Sequence, residues 1–367
     1  MRGVVVTGAS AVTPLGRDLA ATRAALAEGR SGVAPVDAEP SSADRPERSP
    51  AARIVSFTTE PELPKMKARR LDRASQYAVV AAKQALADAR YVMAGREERT
   101  GILLGTGSAG AGPLVEFERQ MALEGPDAAS PFLFPYTVSN APASVAAIEL
   151  QIRGPNVTIT QKDPAALNAL LYARLMLERG RADALLVGAS DEWNLDYHLA
   201  YERIHSTRTR NRPGFVLGEG AACLLVEDED AARARGAVFR ARVASVVMRP
   251  AAVSPQVRRA DPERLAAAIR AALDEAGVEP AAVGLVHLSR NGVPETDEAE
   301  ARALEQIFPR LPRTAAVKEA LGENPCAGAT QMALAVAELS ERSETGAVLV
   351  NAFGAGGNFL SAVFSRP

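Results

Sequence analysis

Four short apolar runs punctuate the chain, at residues 4–7, 101–104, 184–187 and 347–350. Three of them stop at a glycine (Gly8, Gly105, Gly188) and the fourth at Asn351. Brief continuous apolar runs closed by turn residues predict strands that are buried on both faces of a sheet. Alanine-rich stretches with apolar positions at helical spacing lie between them, most clearly at residues 70–90, 164–179, 262–276 and 297–308. The second of these opens with Asp163-Pro164, which predicts an aspartate N-cap followed by proline in the first turn. Strands alternating with helices predict an α/β fold. The order of elements also echoes itself, since residues 184–188 have a counterpart at 347–351 and a further apolar run occupies 284–288. The echo predicts two copies of one α/β unit, residues 1–235 and 236–367, joined near Arg235-Gly236. Residues 39–52, rich in proline, serine and charge, predict a surface loop or a disordered excursion.

Composition narrows the function more than the fold. With 47% hydrophobic and 23% charged residues over 367 positions, the chain is neither disordered nor fibrous. A formal net charge of −2 gives no electrostatic drive towards nucleic acid or an anionic membrane. Two cysteines, Cys223 and Cys326, cannot build a disulfide framework or a cysteine-rich zinc site. Three histidines (His198, His205, His287) show no metal-binding spacing, so no metal or cofactor is expected. The N-terminal apolar run is too short for a signal peptide, and no run approaches the length of a membrane span. A cytoplasmic location is the expectation.

The candidate chemistry is sparse. Gly105-Thr-Gly107-Ser-Ala-Gly110 matches GxGxxG after a strand, but no acidic strand end follows about 20 residues on. Tight strand–helix packing explains these glycines without a nucleotide. Cys223 lies in an apolar run and reads as core; Cys326 sits in a Gly/Ala/Pro-rich turn and is the candidate for an accessible thiol.

Six segments, in order, resemble the β-ketoacyl synthases of the thiolase superfamily. They are residues 5–16 (Val-Val-Thr-Gly-Ala-Ser and onward), 70–77, the pair Ser130-Pro131-Phe132 and Gly154-Pro155-Asn156, 214–221, and 351–357 (Asn-Ala-Phe-Gly-Ala-Gly-Gly). The resemblance implies a thiolase-like fold, with two tandem halves stacked as α-β-α-β-α layers. It also implies where the chemistry should lie. Family members place a cysteine at a helix N-terminus as acyl acceptor; counting on from Gly154-Pro155-Asn156, that position is Asp163. The family's first histidine falls on Ser289, ahead of Pro294 and Asp297, and its second on Glu323. Lys318 and Phe353 are retained. An aspartate attacking a thioester would give a mixed anhydride, which is uphill, so capping its helix is the simpler reading of Asp163. His287, two residues before Ser289, would share its strand face and could replace a lost histidine, or be an ordinary core residue.

Loss of the cysteine and both histidines resembles the chain-length factors of type II polyketide systems. Such a subunit is inactive alone, pairs with an active ketosynthase, and shapes the acyl tunnel served by acyl carrier protein. Phe117, Gln120 and Met121, on one helical face with Glu124, together with Phe134, are then the tunnel or interface candidates. The strand at residues 157–160 would lie at a twofold or pseudo-twofold interface. The alternatives are a malonyl-carrier-protein decarboxylase and a thiolase-fold enzyme whose site has moved to Cys326 or His287.

Overall fold

The computed structural model describes residues 2–36, 49–204, 206–209, 211–250, 260–354 and 356–367. His205, residues 39–48 of the proline-rich segment, the stretch that follows Pro250 to residue 259, and Ala355 of the last glycine-rich loop lie outside the described residues. The strands of the first half are β1 (Val4–Val12), β2 (Val33–Ala34), β3 (Ala51–Ala52), β4 (Thr100–Thr106), β5 (Asn156–Thr160), β6 (Ala184–Asp191), β7 (Leu217–Gly218) and β8 (Gly220–Asp228). Those that follow are β9 (Ala241–Pro250), β10 (Val283–His287), β11 (Arg313–Ala315), β12 (Ala347–Phe353) and β13 (Asn358–Ser365). The helices are α1 (Leu19–Ala27), α2 (Lys65–Ala68), α3 (Arg73–Asp88), α4 (Ala111–Glu124), α5 (Ala141–Leu150) and α6 (Ala165–Glu178). They continue as α7 (Leu195–Arg203), α8 (Glu229–Ala234), α9 (Pro262–Ala276), α10 (Pro294–Glu305), α11 (Lys318–Leu321) and α12 (Pro325–Glu341).

Ten strands run in the order β11-β10-β12-β13-β9-β1-β8-β6-β4-β5. The pairing pattern is the same outward from both sides of the β1–β9 junction. On one side β1–β8 and β8–β6 are antiparallel, then β6–β4 and β4–β5 parallel. On the other, β9–β13 and β13–β12 are antiparallel, then β12–β10 and β10–β11 parallel. The two sets meet at the pairs Val5–Arg242 and Val6–Ala241.

The side chains alternate between two cores, as a period of two requires. Leu185 and Val187 of β6 and Val348 and Val350 of β12 face a central layer made by α6 and α12. Leu186 and Leu104 face α3 and α5 on one outer side, and Leu349 and Val363 face α9 and α10 on the other. The result is the expected α-β-α-β-α stack.

The strands run past the glycines where the sequence pattern stops. At Gly105 a Cβ would meet the Ala165 backbone at 2.7 Å, and at Gly188 it would meet the Ala222 carbonyl at 1.8 Å. These glycines mark close approach inside continuing strands, not strand ends. Residues 49–52 also depart from a surface loop. Ser49 is buried beside Thr207, and β3 pairs with β2 and β7 because the backbone there enters a small three-stranded sheet.

Candidate functional site

The C-terminal ends of the parallel strands gather around one cavity of about 600 Å³, the usual place for a site in an α/β sheet. Ser108 follows β4, Asp163 follows β5, Glu192 to Asn194 follow β6, Asn291 follows β10 and Phe353 ends β12. Helix α7 contributes Tyr197 and Tyr201, and Glu323 comes from the turn before α12. Rings dominate the walls: Trp193, Tyr197, Tyr201, Phe215, Phe353 and Phe359.

Asp163 does not cap α6. Pro164 occupies the cap position without any side-chain hydrogen bond, and Lys162 takes a left-handed conformation (φ 55°) that turns the chain into the cavity. Asp163 instead faces Glu323, a residue 160 positions away. Lys318 donates to Glu323 Oε1 at 3.1 Å, and both side chains are almost wholly buried. Glu323 Oε2 is buried with no hydrogen-bond donor among the described residues. Burial, then the charge of Asp163, pushes the Glu323 carboxyl well above its ordinary value, although Lys318 pulls the other way. Burial also opposes the Lys318 charge, but Glu323 and Asp163 outweigh it and raise the ammonium. A carboxyl this deeply buried beside another carboxylate favours its protonated form.

Ser289 is engaged elsewhere. Its Oγ accepts the Phe353 N–H at 2.9 Å, so that amide is not free for a ligand. The Glu300 carboxylate accepts from Ser289 N, Arg290 N and Asn351 Nδ2, each at 3.0 Å. Burial lifts Glu300 to about 7. The five positions that the resemblance singles out, Asp163, Ser289, Glu323, Lys318 and Phe353, lie together, with Asp163, Glu323 and Phe353 on the cavity wall and Lys318 and Ser289 directly behind it.

The relocated-site candidates do not reach the cavity. His287 is 2% exposed, both ring nitrogens lack partners among the described residues, and burial lowers it to about 4, so it is a neutral core histidine. Cys326 is not in an accessible turn. It lies in the first turn of α12, 3% exposed, with its thiol donating to the Gly220 carbonyl at 2.8 Å and pushed well up by burial. Cys223 is core, its thiol raised to about 12 by burial.

The glycine-rich turn after β4 is no phosphate cradle. Gly107 N, Ser108 N and Thr106 Oγ1 already donate to the Asp191 carboxylate at 2.8, 2.9 and 2.6 Å. An anion would meet a buried carboxylate exactly where a phosphate needs donors; the packing reading of these glycines stands. Helix α4 buries none of its side chains. Phe117 stacks against Phe134 with ring centroids 5.7 Å apart, and Gln120, Met121 and Glu124 lie along the same outer surface, away from the cavity wall.

Glu192 escaped the sequence reading because nothing in Asp191-Glu192-Trp193 carries a spacing signal. It stands at the cavity wall with Oε1 buried and unpartnered. Burial, then the charges of Asp72, Glu219 and Asp191, raise it to about 8.

A layered sheet pair with one site at its strand ends is the architecture of thiolase-like acyl-condensing proteins. The chain belongs to the β-ketoacyl synthase family: the N-terminal domain of that family matches residues 1–232 and its C-terminal domain residues 240–344. Among curated relatives, a 3-oxoacyl-[acyl-carrier-protein] synthase 2 of Staphylococcus aureus (strain COL) is 29% identical over 324 residues, covering 83% of this chain and 77% of the relative. That of Synechocystis is 30% identical over 320 residues, covering 83% and 76%. Of solved structures, the ishigamide ketosynthase/chain length factor superposes with a TM-score of 0.89 at 25% identity, over 100% of this chain and 99% of the other. A β-ketoacyl synthase from Burkholderia phymatum gives 0.86 at 23% identity, over 100% of both chains, which speaks to the fold.

Proposed function

We propose that this chain is a non-catalytic ketosynthase-like subunit, a chain-length factor that pairs with an active ketosynthase and shapes the cavity in which a carrier-bound acyl chain grows. The observation that carries the reading is the Asp163–Glu323–Lys318 cluster standing where the family's nucleophile and second histidine would be. A carboxylate is a poor acyl acceptor, because its attack on a thioester gives an uphill mixed anhydride, and the Phe353 amide is engaged by Ser289. The likeness to a ketosynthase/chain length factor structure supports the same reading. A malonyl group suits the site less well, because its carboxylate would face two carboxyls and no free donor.

The surface agrees with a subunit role. Strand β5 is the sheet edge, paired on one side alone by β4; Ile148 on the adjoining α5 is 75% exposed, and Phe132 and Phe134 are 84% and 61% exposed. An unpaired apolar edge of this kind calls for a partner. In this reading Phe117, Gln120, Met121 and Phe134 belong to the partner-facing surface, since none of them lines the cavity. Two duplicated halves, 1–235 and 236–367, and a cytoplasmic location belong to the same reading. The test is to incubate the purified chain with acyl carrier protein loaded with an acyl group, with and without a candidate ketosynthase. Alone it should acquire no acyl adduct, and with the ketosynthase it should elute as a heterodimer. A stable acyl adduct on any residue of the lone chain, or a monomer indifferent to ketosynthase, overturns the proposal.

A further inference from the structure

Two carboxyl oxygens on the cavity wall are left without a donor among the described residues. Glu323 is 5% exposed, lines the cavity, and has one carboxyl oxygen without a donor among the described residues. Glu192 Oε1 is in the same condition on another wall. The Phe353 amide is engaged by Ser289, and the turn amides at Gly107 and Ser108 by Asp191. A ligand that brings its own donors can satisfy these oxygens.

The rings around them say which donors. Trp193, Tyr197, Tyr201 and Phe215 present π-faces and edges, with Tyr197 and Phe215 each packed edge-on to Tyr201 at 5.3 and 5.2 Å. Two of these rings already draw cations. The Arg53 guanidinium sits 4.2 Å from the Trp193 centroid and the Lys162 ammonium 5.1 Å from that of Tyr201. Aromatic walls with carboxyls at their base form the standard environment for an organic ammonium.

We propose that the cavity binds a ligand ending in a protonated amine, seated against Asp163 and Glu323, on an aliphatic or aromatic body small enough for the enclosed volume. A carboxylate would be repelled there, and a bare alkyl end would leave the carboxyl oxygen unsatisfied. The groups facing Glu323 are Asp163 from the turn after β5, Lys318 from α11 and Tyr201 from α7, with Glu300 of α10 acting on Lys318 from behind. Lys162, the lysine on the wall, is exposed and donates to the Tyr201 hydroxyl at 2.6 Å. An ammonium ion seated against Glu323, whose burial favours the protonated carboxyl, favours its ionised form instead, so binding should release a proton to solvent. The inference goes beyond a subunit role. It holds whether or not the chain pairs with a ketosynthase, and pairing and amine binding are read by separate assays.

The experiment is titration calorimetry on the full chain near neutral pH with three probes of equal length: hexylammonium, hexanol and hexanoate. Two buffers of different ionisation enthalpy report the proton. Hexylammonium should bind roughly tenfold or more tighter than hexanol, with hexanoate weakest and about one proton released per amine bound. Glu323→Gln should abolish the proton release and weaken the amine while leaving hexanol unchanged. The proposal fails if hexanol or hexanoate matches the amine on the wild-type chain, if no probe binds, or if amine binding releases no proton. The comparison of probes on the wild type decides it even if the variant does not fold.

Discussion

Replacing Glu192 with glutamine should change how stability depends on pH. The folded chain holds this carboxyl's proton up to about 8, whereas the unfolded chain releases it at the ordinary value of 4.5. Between these limits the native state binds more protons than the unfolded state, so native stability falls as pH rises. At 1.36 kcal/mol per pH unit the full interval is worth roughly 5 kcal/mol. The side chain borders an open cavity where water screens it, so we take about half, ~2 kcal/mol. Glutamine keeps the shape and the acceptor for the Ala74 backbone N–H, loses no bond at the unpartnered Oε1, and has no proton to release. Glu192→Gln should therefore be the more stable protein at pH 8 by about 2 kcal/mol and close to wild type near pH 5. Urea unfolding at four pH values and constant ionic strength reads this directly, and a weaker slope should persist below pH 7 from Glu300. Parallel pH curves for the two proteins, or a wild type that gains stability towards pH 8, would refute the reasoning.

Two further perturbations follow from the same map. Lys318→Met removes the counter-charge of the buried Glu323 carboxyl and should cost about 3–5 kcal/mol at pH 8, less at lower pH where protonated Glu323 needs no counter-charge; urea midpoints at pH 8 and pH 5 check it. Phe117→Ala removes a half-exposed ring packed on Phe134, so the isolated chain should lose about 1 kcal/mol, well short of the ~3–5 kcal/mol of a core truncation. If the face is a subunit boundary, the same variant weakens pairing with the ketosynthase and shifts the products towards longer chains, measured by sedimentation and product analysis.

What could be read in the sequence was whatever local chemistry decides. Helix α9 spans Pro262–Ala276 as its pattern indicates, because Asp261 caps it, proline opens it and Gly277 closes it at φ 63°. Helix α6 was equally plain as a helix, yet the role of Asp163 was not. The Asp-Pro pair is a good capping signal, and what overrides it is a carboxyl brought in from Glu323 by the tertiary fold. Glycine misled in the opposite direction at Gly105 and Gly188. A turn and a close backbone approach make the same demand for no side chain, and only packing tells them apart. The sequence alone singles out Ser289 and Glu323, and in the fold Glu323 lines the cavity while Ser289 lies behind it. The contacts these side chains make were not legible. The Ser289–Phe353 bond and the raised carboxyl of Glu192 depend on residues far off in the chain, and no spacing rule connects them.

Helices α6 and α12 have a consequence for how the chain can be divided. Each packs against the other and against strands from both sides of the β1–β9 junction. Neither set of five strands has an inner face of its own; each borrows its covering from a layer the two own jointly. Cutting the gene near residue 235 would therefore not yield two small proteins but two open faces, each lined with leucine, valine and alanine and each lacking half its interior.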